Sequence, residues 1–334
     1  MSSSIAQIFE SFSRMKVLVV GDVMIDKYIF GDVGRISPEA PVPIVEVYKR
    51  ETRLGGAANV AANVIELGAA ALLVSVVGDD AEGHTLKQNL QYSGIDPSSI
   101  ILDQERVTTI KTRVISRNQQ MLRYDFEKVE PLDENIELLL IDNVIDLIYN
   151  EAPDVVILQD YDKGVLTPRV IANIIHNCRQ AKIPVAVDPK FNNFLEYSGC
   201  TLLKPNLLEA TKGLNLDISP LRPETLGTAH RKAQSFLQNE YTVITLSDKG
   251  IFVADDEDTD LIPAYKRNIT DVSGAGDTVI ALLGLGLALG LDVFATAELA
   301  NIAAGMVCEQ VGVVPINREA LIREATMMMG MEEE

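Results

Sequence analysis

The chain has 334 residues, of which 47% are hydrophobic and 23% charged, and its formal net charge is −19. A globular protein of this length can bury a large core, as one large α/β domain or two smaller ones. The acidic balance disfavours nucleic acid and membrane surfaces as partners. Three scattered cysteines and no signal-peptide pattern in residues 1–14 predict reduced core thiols in a cytoplasmic protein.

Acidic residues follow the first predicted strand. Lys16 to Val20 is a β-branched run typical of a buried parallel strand, and Asp22 and Asp26 come just after it. Because ligands of open α/β sheets bind at the carboxyl ends of strands, both are candidate binding residues, with a turn or capping role as the alternative. The glycine fingerprint of dinucleotide-binding folds is absent here, which disfavours a nicotinamide-dependent dehydrogenase.

Two segments depart from a simple strand–helix alternation. Residues 28–47 hold short strand-like pieces broken by glycine and proline, which predicts an edge or an excursion from the main sheet. Residues 108–126 alternate with period 2 and predict a hairpin. The faces of this hairpin carry a basic cluster of Lys111, Arg113, Arg117 and Arg123. Its local, single-signed charge favours a phosphate-facing role over an ordinary solvated face.

Between these segments a glycine pair opens a helix. The run is Gly55-Gly56-Ala57-Ala58-Asn59, and the helix is predicted to continue to Leu67. Paired glycines let a substrate lie against bare backbone, and an asparagine can bond two hydroxyls at once. The alternative is that the glycines serve only tight packing at the start of the helix.

After residue 134 strands and helices alternate regularly. Polar residues recur at the predicted carboxyl ends of these strands, in Gln159 to Gly164, Asp188-Pro189-Lys190, Lys204-Pro205-Asn206 and Ser247 to Gly250. Independent turn residues need not fall so regularly, so this recurrence predicts a shared site at one edge of the sheet.

A glycine loop with an acid precedes the most apolar helix. The stretch from Asp271 to Thr278 holds Gly274, Ala275 and Gly276, with Asp277 in the first helical turn. Exposed amides at a helix N-terminus stabilise anions, and a neighbouring carboxylate can accept a proton. Together these groups suit phosphoryl transfer to a hydroxyl, with a plain glycine-rich turn as the alternative.

The G-G-A-A-N run and the D-V-S-G-A-G-D run resemble the paired signatures of the ribokinase-like (PfkB) carbohydrate kinases, and the resemblance covers essentially the whole chain. It implies an α/β fold with a mostly parallel central sheet flanked by helices and a small β lid over the sugar, formed by 28–47 and 108–126. It also implies ATP as co-substrate and Mg²⁺, leaves a monovalent cation open, and suggests a homodimer formed through the lid.

The resemblance assigns roles to individual residues. Asp277 would be the base, with Gly274, Ala275 and Gly276 as the anion hole. The sugar would be held by Asp26, Gly55, Gly56 and Asn59, and its phosphate by Arg113, Asn118, Arg123 and Lys163. On the nucleotide side would lie Lys190, Asn206, Glu209, Ser247, Gly250 and Asn301. Asn206 and Glu209 match the family's N-x-x-E, which implies that Glu209 organises the magnesium ion.

Two further segments resemble one branch of the family, the heptose-phosphate kinases of lipopolysaccharide biosynthesis. They are Arg35 to Pro43 and Ser116 to Gln120. The resemblance implies phosphorylation of the anomeric hydroxyl of D-glycero-D-manno-heptose 7-phosphate. No H-x-G-H motif occurs, so we expect one kinase domain over 1–334 and no adenylyltransferase domain. The alternatives are a related kinase for fructose phosphate, tagatose phosphate or a nucleoside, and a non-catalytic sugar-phosphate sensor.

Overall fold

The computed structural model describes residues 4–117 and 119–330. The strands are β1 (Lys16–Gly21), β2 (Val23–Ile36), β3 (Pro43–Gly56), β4 (Ala70–Gly78), β5 (Ile100–Asp103), β6 (Ile110–Ser116), β7 (Gln119–Phe126), β8 (Val155–Gln159), β9 (Val185–Asp188), β10 (Leu202–Leu203), β11 (Tyr241–Thr245), β12 (Ile251–Ala254) and β13 (Thr259–Ile262). The helices are α1 (Ile5–Phe12), α2 (Ala57–Glu66), α3 (Ala81–Tyr92), α4 (Glu134–Asn150), α5 (Pro168–Ala181), α6 (Leu207–Gly213), α7 (Pro223–Leu237), α8 (Ala275–Leu289), α9 (Val293–Cys308) and α10 (Arg318–Met329).

A large sheet runs through the middle of the described chain. Its strand order is β13-β12-β11-β10-β9-β8-β1-β4-β5, and the seven strands from β11 to β5 pair in parallel. The hairpin of β12 and β13 adds two antiparallel strands at one edge. Because parallel strands point the same way, the carboxyl ends of β1, β8, β9, β10 and β11 meet along one edge of the sheet.

Helices cover both faces of the large sheet, which explains its unbroken apolar strands. Val17 and Val19 of β1 face the core beneath α2, α8 and α9. The alternate residues Leu18 and Val20 face the core beneath α4, α5 and α7. Period-2 alternation thus divides one strand between two cores, each closed by a layer of helices.

A second, small sheet has the order β3-β2-β6-β7. β2 pairs with β3 and β6 with β7 in antiparallel hairpins, and β2 and β6 join them in parallel. The predicted hairpin at 108–126 is confirmed. The prediction of short pieces at 28–47 was wrong in length, because β2 and β3 are continuous 14-residue strands. The chain accommodates its glycines by register shifts at Phe30/Gly31 and Val33/Arg35.

The small sheet is fastened to the loop between α9 and α10. The backbone N–H of Val313 donates to the hydroxyl of Tyr28 at 2.8 Å, and Nη1 of Arg53 donates to the carbonyl of Val311 at 2.7 Å. The guanidinium of Arg53 also lies 4.7 Å from the centre of the Tyr28 ring. These contacts hold the small sheet next to the glycine loop that begins α8.

Two further features concern the cysteines and the apolar character of the helices. Cys178, Cys200 and Cys308 are free and buried, as expected for core thiols. Within residues 4–117 and 119–330, no helix combines the length and the apolar character needed to cross a membrane.

Candidate active site

The N-terminus of α8 carries the glycine loop. Gly274 is the N-cap residue with φ +84°, a left-handed conformation that side chains with a Cβ rarely adopt. The turn places Ala275, Gly276 and Asp277 in the first turn of α8, where backbone amides have no acceptor within the helix. This arrangement fits the predicted anion hole.

Three side-chain donors hold the carboxylate of Asp277, which is only 2% exposed. Nδ2 of Asn59 in α2 donates to Oδ2 at 2.7 Å. The hydroxyl of Tyr161 and Nε2 of Gln159, both at the end of β8, donate to Oδ1 at 2.8 and 3.3 Å. The three contacts fix the orientation of the candidate base, and they link the predicted residue Asn59 to it directly.

Burial raises the pKa of Asp277 to about 6, against the hydrogen bonds from Asn59 and Tyr161, which lower it. The nearby carboxylate of Asp188 raises the pKa further, and Lys204 lowers it. A carboxylate with a pKa near 6 is mostly ionised at neutral pH and is a stronger base than an ordinary aspartate.

A buried ion pair lies beside the glycine loop. Nζ of Lys204 is 3.0 Å from Oδ2 of Asp188, and Nε2 of Gln159 donates to the same oxygen at 3.0 Å. A Cβ placed on Gly276 would lie 3.6 Å from Nζ of Lys204. The ammonium group therefore lies next to the glycine loop.

Asp22 has a structural role. Its carboxylate accepts backbone N–H groups of Tyr161, Lys163 and Val165 at 2.8 to 3.1 Å, which shapes the loop after β8. Burial, with the neighbouring Asp160, raises the pKa of Asp22. The turn-stabilising alternative therefore describes Asp22 better than ligand binding.

Asp26 lies between the glycine pair and a buried arginine. Its carboxylate pairs with Arg113 of β6, and both side chains are buried. A Cβ on Gly55 would come within 2.2 Å of Oδ2 of Asp26, so the absence of a side chain there makes room for this carboxylate. Gly55 and Gly56 end β3, and Gly56 is also the N-cap residue of α2, so the predicted glycine pair at the start of this helix is confirmed.

The other predicted phosphate ligands are Lys163, Arg123 and Asn118. Lys163 pairs with Glu127 at 2.8 Å, and Arg123, with half its side chain exposed, pairs with Asp125 at 3.1 Å. Asn118 lies outside the described residues. Lys163 and Arg123 thus each have a carboxylate partner, a feature that net charge along the sequence does not reveal.

The predicted nucleotide side begins at α6. Asn206 caps this helix, and Asn206 and Glu209 bond each other's backbone N–H groups in a capping box. The second oxygen of Glu209 pairs with Lys190, and the neighbouring acids Asp188 and Glu209 raise the pKa of that lysine against its burial. The sequence placed these three residues together, and the structure does so as well.

A magnesium ion fits this position. Mg²⁺ keeps several waters and is bound by one or two carboxylates together with substrate phosphates. Glu209 supplies one such carboxylate. Among the described residues, no group of three or more acidic, histidine or cysteine side chains forms a ready metal site.

Of the remaining nucleotide-side candidates, two follow β11 and one lies on α9. Ser247 and Gly250 bracket a 3₁₀ turn directly after β11, and Ser247 is exposed. Asn301 of α9 donates to the carbonyl of Pro263 at 2.8 Å and so ties α9 to the chain after β13. This hydrogen bond gives Asn301 a structural role within the protein.

Sequence reasoning missed three residues that contact the candidate base or its neighbour. Gln159, Tyr161 and Lys204 all stand at the ends of strands that were predicted to face the site. The strand-end signal included all three in the predicted shared site but gave none of them a role. Nothing in the sequence, however, says which of several polar residues after a strand turns inward.

A comparison with protein families matches residues 14–320 to the pfkB family of carbohydrate kinases. The chain belongs to this family. The prediction of an ATP-dependent carbohydrate kinase is thereby confirmed, and ATP with Mg²⁺ is the general requirement of such kinases.

Curated relatives are similar over most of the chain. The bifunctional protein HldE of Methylobacillus flagellatus is 42% identical over 308 residues, which are 92% of this chain and 62% of that protein. The bifunctional protein HldE of a Campylobacter jejuni strain is 40% identical over 312 residues, 92% of this chain and 64% of that protein. The chain therefore spans less than two thirds of the length of these relatives.

Solved structures confirm the ribokinase-like α/β fold. Escherichia coli phosphofructokinase-2 in complex with potassium has a TM-score of 0.77 at 17% identity, covering 95% of this chain and 99% of that one. Arabidopsis thaliana ribokinase complexed with ribose and ATP has a TM-score of 0.70 at 17% identity, covering 92% and 99%. At these identities the likeness concerns the fold alone.

Proposed function

We propose that the protein transfers the γ-phosphoryl group of ATP to the anomeric hydroxyl of D-glycero-D-manno-heptose 7-phosphate, giving the 1,7-bisphosphate for ADP-heptose and lipopolysaccharide core biosynthesis. The observation that carries this proposal is the sequence identity of about 40% to bifunctional HldE proteins over 92% of the chain. The segments Arg35 to Pro43 and Ser116 to Gln120 support the same branch of the family.

The geometry supports a specific role for each of several residues in this reaction. Asp277 accepts the proton of the sugar hydroxyl, and the amides of Gly274 to Gly276 with Lys204 face the charge on the transferred group. Asp26 and Asn59 orient the sugar from one side. A binding module without catalysis has no need for a buried carboxylate with a raised pKa, so these features favour an enzyme over a sensor.

The nucleotide lies, in this proposal, along the carboxyl ends of β9, β10 and β11. Lys190 would contact its phosphates, and Glu209 with Asn206 would hold the magnesium ion. Ser247, Gly250 and Asn301 flank the nucleoside. When bound, Mg²⁺ neutralises phosphate charge, while the residues of the chain position the two substrates. A potassium-type cation remains part of the proposal by analogy with the potassium complex of phosphofructokinase-2.

The substrate is tested by a coupled assay of ADP release with a panel of acceptors. The panel contains the heptose 7-phosphate, fructose 6-phosphate, tagatose 6-phosphate, a nucleoside and water alone. We expect kcat/KM to be highest for the heptose 7-phosphate. Preferred turnover of a six-carbon sugar phosphate or of the nucleoside would replace the proposed substrate while leaving the kinase family unchanged.

The small sheet also provides the surface for a proposed homodimer. The apolar side chains Leu122, Tyr124 and Phe126 of β7 are 51–58% exposed and alternate with the charged Arg123 and Asp125. Alternation puts the two sets on opposite faces of the sheet. An exposed apolar row on an edge strand favours pairing with a second copy through the same surface.

A further inference from the structure

The ammonium group of Lys111 is near acids that already have other partners. Burial lowers the pKa of Lys111, and the acids Asp26, Glu127 and Asp125 partly offset this through their charge. Each of these acids is in an ion pair of its own. The pairs are Asp26 with Arg113, Glu127 with Lys163 and Asp125 with Arg123. Among the residues that the structure describes, no carboxylate lies close enough to Lys111 for a direct ion pair.

The ring of Tyr161 holds Lys111 beside the candidate base. Nζ of Lys111 is 5.0 Å from the ring centre, within the range of a cation–π contact. Nζ of Lys190 approaches the same ring at 5.1 Å, and that lysine has Glu209 as its partner. The hydroxyl of Tyr161 donates to Asp277. One tyrosine side chain therefore separates the ammonium group of Lys111 from the carboxylate that activates the acceptor.

The register of the small sheet determines on which face of the sheet Lys111 lies. Lys111 of β6 pairs with Asp26 of β2 and with Asp125 of β7, and Arg113 stands two residues further along the same strand. Residues two apart share a face. Lys111 thus lies on the charged face that carries the Asp26–Arg113 pair. Because Lys111 contacts Tyr161, which binds Asp277, this face lies on the side of Asp277.

From this arrangement we propose that Lys111 binds the phosphate group of the acceptor sugar, and that Tyr161 positions its ammonium group for that contact. The proposal rests on the proposed function in one respect, namely that the acceptor is a sugar phosphate. A phosphate dianion gives a half-buried cation the direct partner that it lacks, and charge-assisted hydrogen bonds are among the stronger ones. Arg113, Arg123 and Lys163 would have to leave existing carboxylates to do the same.

The test replaces Lys111 by methionine, which keeps the aliphatic length and still packs on an aromatic ring. For Lys111→Met we expect the KM of the sugar phosphate to rise roughly 10- to 100-fold, as for loss of a hydrogen bond to a charged group. The KM of ATP and the kcat/KM of the same sugar without its phosphate should not change. Lys111→Arg should recover most of the lost affinity.

Lys49→Met is the matched control. Lys49 lies on β3 of the small sheet and also contacts an aromatic ring, that of Phe30 at 5.5 Å, but it is exposed and pairs with Glu51. We expect its kinetics to match the unaltered protein.

The outcomes separate this inference from the proposed function. The experiment uses whichever sugar phosphate the protein turns over best, so a different sugar would correct the function without affecting Lys111. An unchanged KM for the sugar phosphate in Lys111→Met, or an equal loss for the sugar with and without phosphate, would overturn the role of Lys111. A protein that prefers unphosphorylated sugars would contradict both proposals.

Discussion

At the scale of single residues, the donors around Asp277 indicate which of its oxygens is available for catalysis. Oδ1 accepts from Tyr161 and Gln159, whereas Oδ2 accepts only from Asn59 among the described residues. A carboxylate oxygen has two lone pairs for hydrogen bonds. We therefore expect the proton of the sugar hydroxyl to go to Oδ2, while Oδ1 anchors the side chain.

Replacing Asp277 by asparagine removes the base while keeping a side chain of the same shape. Loss of a general base typically slows a reaction about 10²- to 10⁴-fold, and we expect kcat to fall by at least that much with little change in ATP binding. The exposed residue Asp142 of α4 offers a control, and Asp142→Asn should leave kcat unchanged. Near-normal turnover of Asp277→Asn would remove this residue from the base role.

The same carboxylate predicts a pH dependence. The base acts only when deprotonated, and burial raises the pKa of Asp277 to about 6. In the unaltered protein, kcat/KM should therefore be level above pH 6 and decrease as the pH falls below it, since this parameter reports the free enzyme. An activity that persists unchanged down to the ordinary pKa of aspartate would contradict the assignment.

The positions of individual site residues could be predicted from the sequence where a short motif fixes them. Gly274 to Asp277, and Asn206 with Glu209, lie within one loop and one helix turn, so local spacing determined their geometry. Lys111 and Tyr161 are 50 residues apart in the sequence, and their contact depends on how two sheets meet. Such long-range contacts determine which cation of a basic cluster lacks a carboxylate partner. No local sequence pattern predicts them.

At the scale of elements, the strands and helices from α4 to α10 were largely predictable, because their apolar runs and caps are local. The miss at residues 28–47 has a physical reason: Pro38 and Pro41 fall in the turn between β2 and β3, while Gly31 lies inside a strand where Val45 and the backbone of Glu46 come close. Proline and glycine were therefore interpreted as breaks along the whole segment although only the turn interrupts it.

The outward face of β7 gives a prediction at the same scale. Tyr124→Lys places a charge in the exposed apolar row of Leu122, Tyr124 and Phe126, which would be buried in a dimer at a high cost in free energy. We expect the unaltered protein to sediment as a dimer and Tyr124→Lys as a monomer. Tyr92→Lys changes an aromatic residue on α3 that is 88% exposed, and it should remain dimeric. A monomeric unaltered protein would contradict the proposed interface.

At the scale of the whole molecule, the site forms where two sheets face each other. The large sheet contributes Gln159, Asp188 and Lys204 from its carboxyl edge, and the small sheet contributes Asp26, Lys111 and Arg113. α8 brings Asp277 between them. In our account the nucleotide occupies the first side and the sugar the second, and the Tyr28 and Arg53 contacts to the loop at 311–313 keep the two sides in register.

In the proposed reaction, Asp277 directs a phosphoryl group to the anomeric oxygen of a sugar that already carries a phosphate. ³¹P NMR of the product formed from heptose 7-phosphate, ATP and Mg²⁺ tests it most directly. We predict a second sugar phosphorus resonance coupled to the anomeric proton, which Asp277→Asn forms at least about 10²-fold more slowly. Phosphorylation at another hydroxyl, or release of inorganic phosphate alone, would contradict the account.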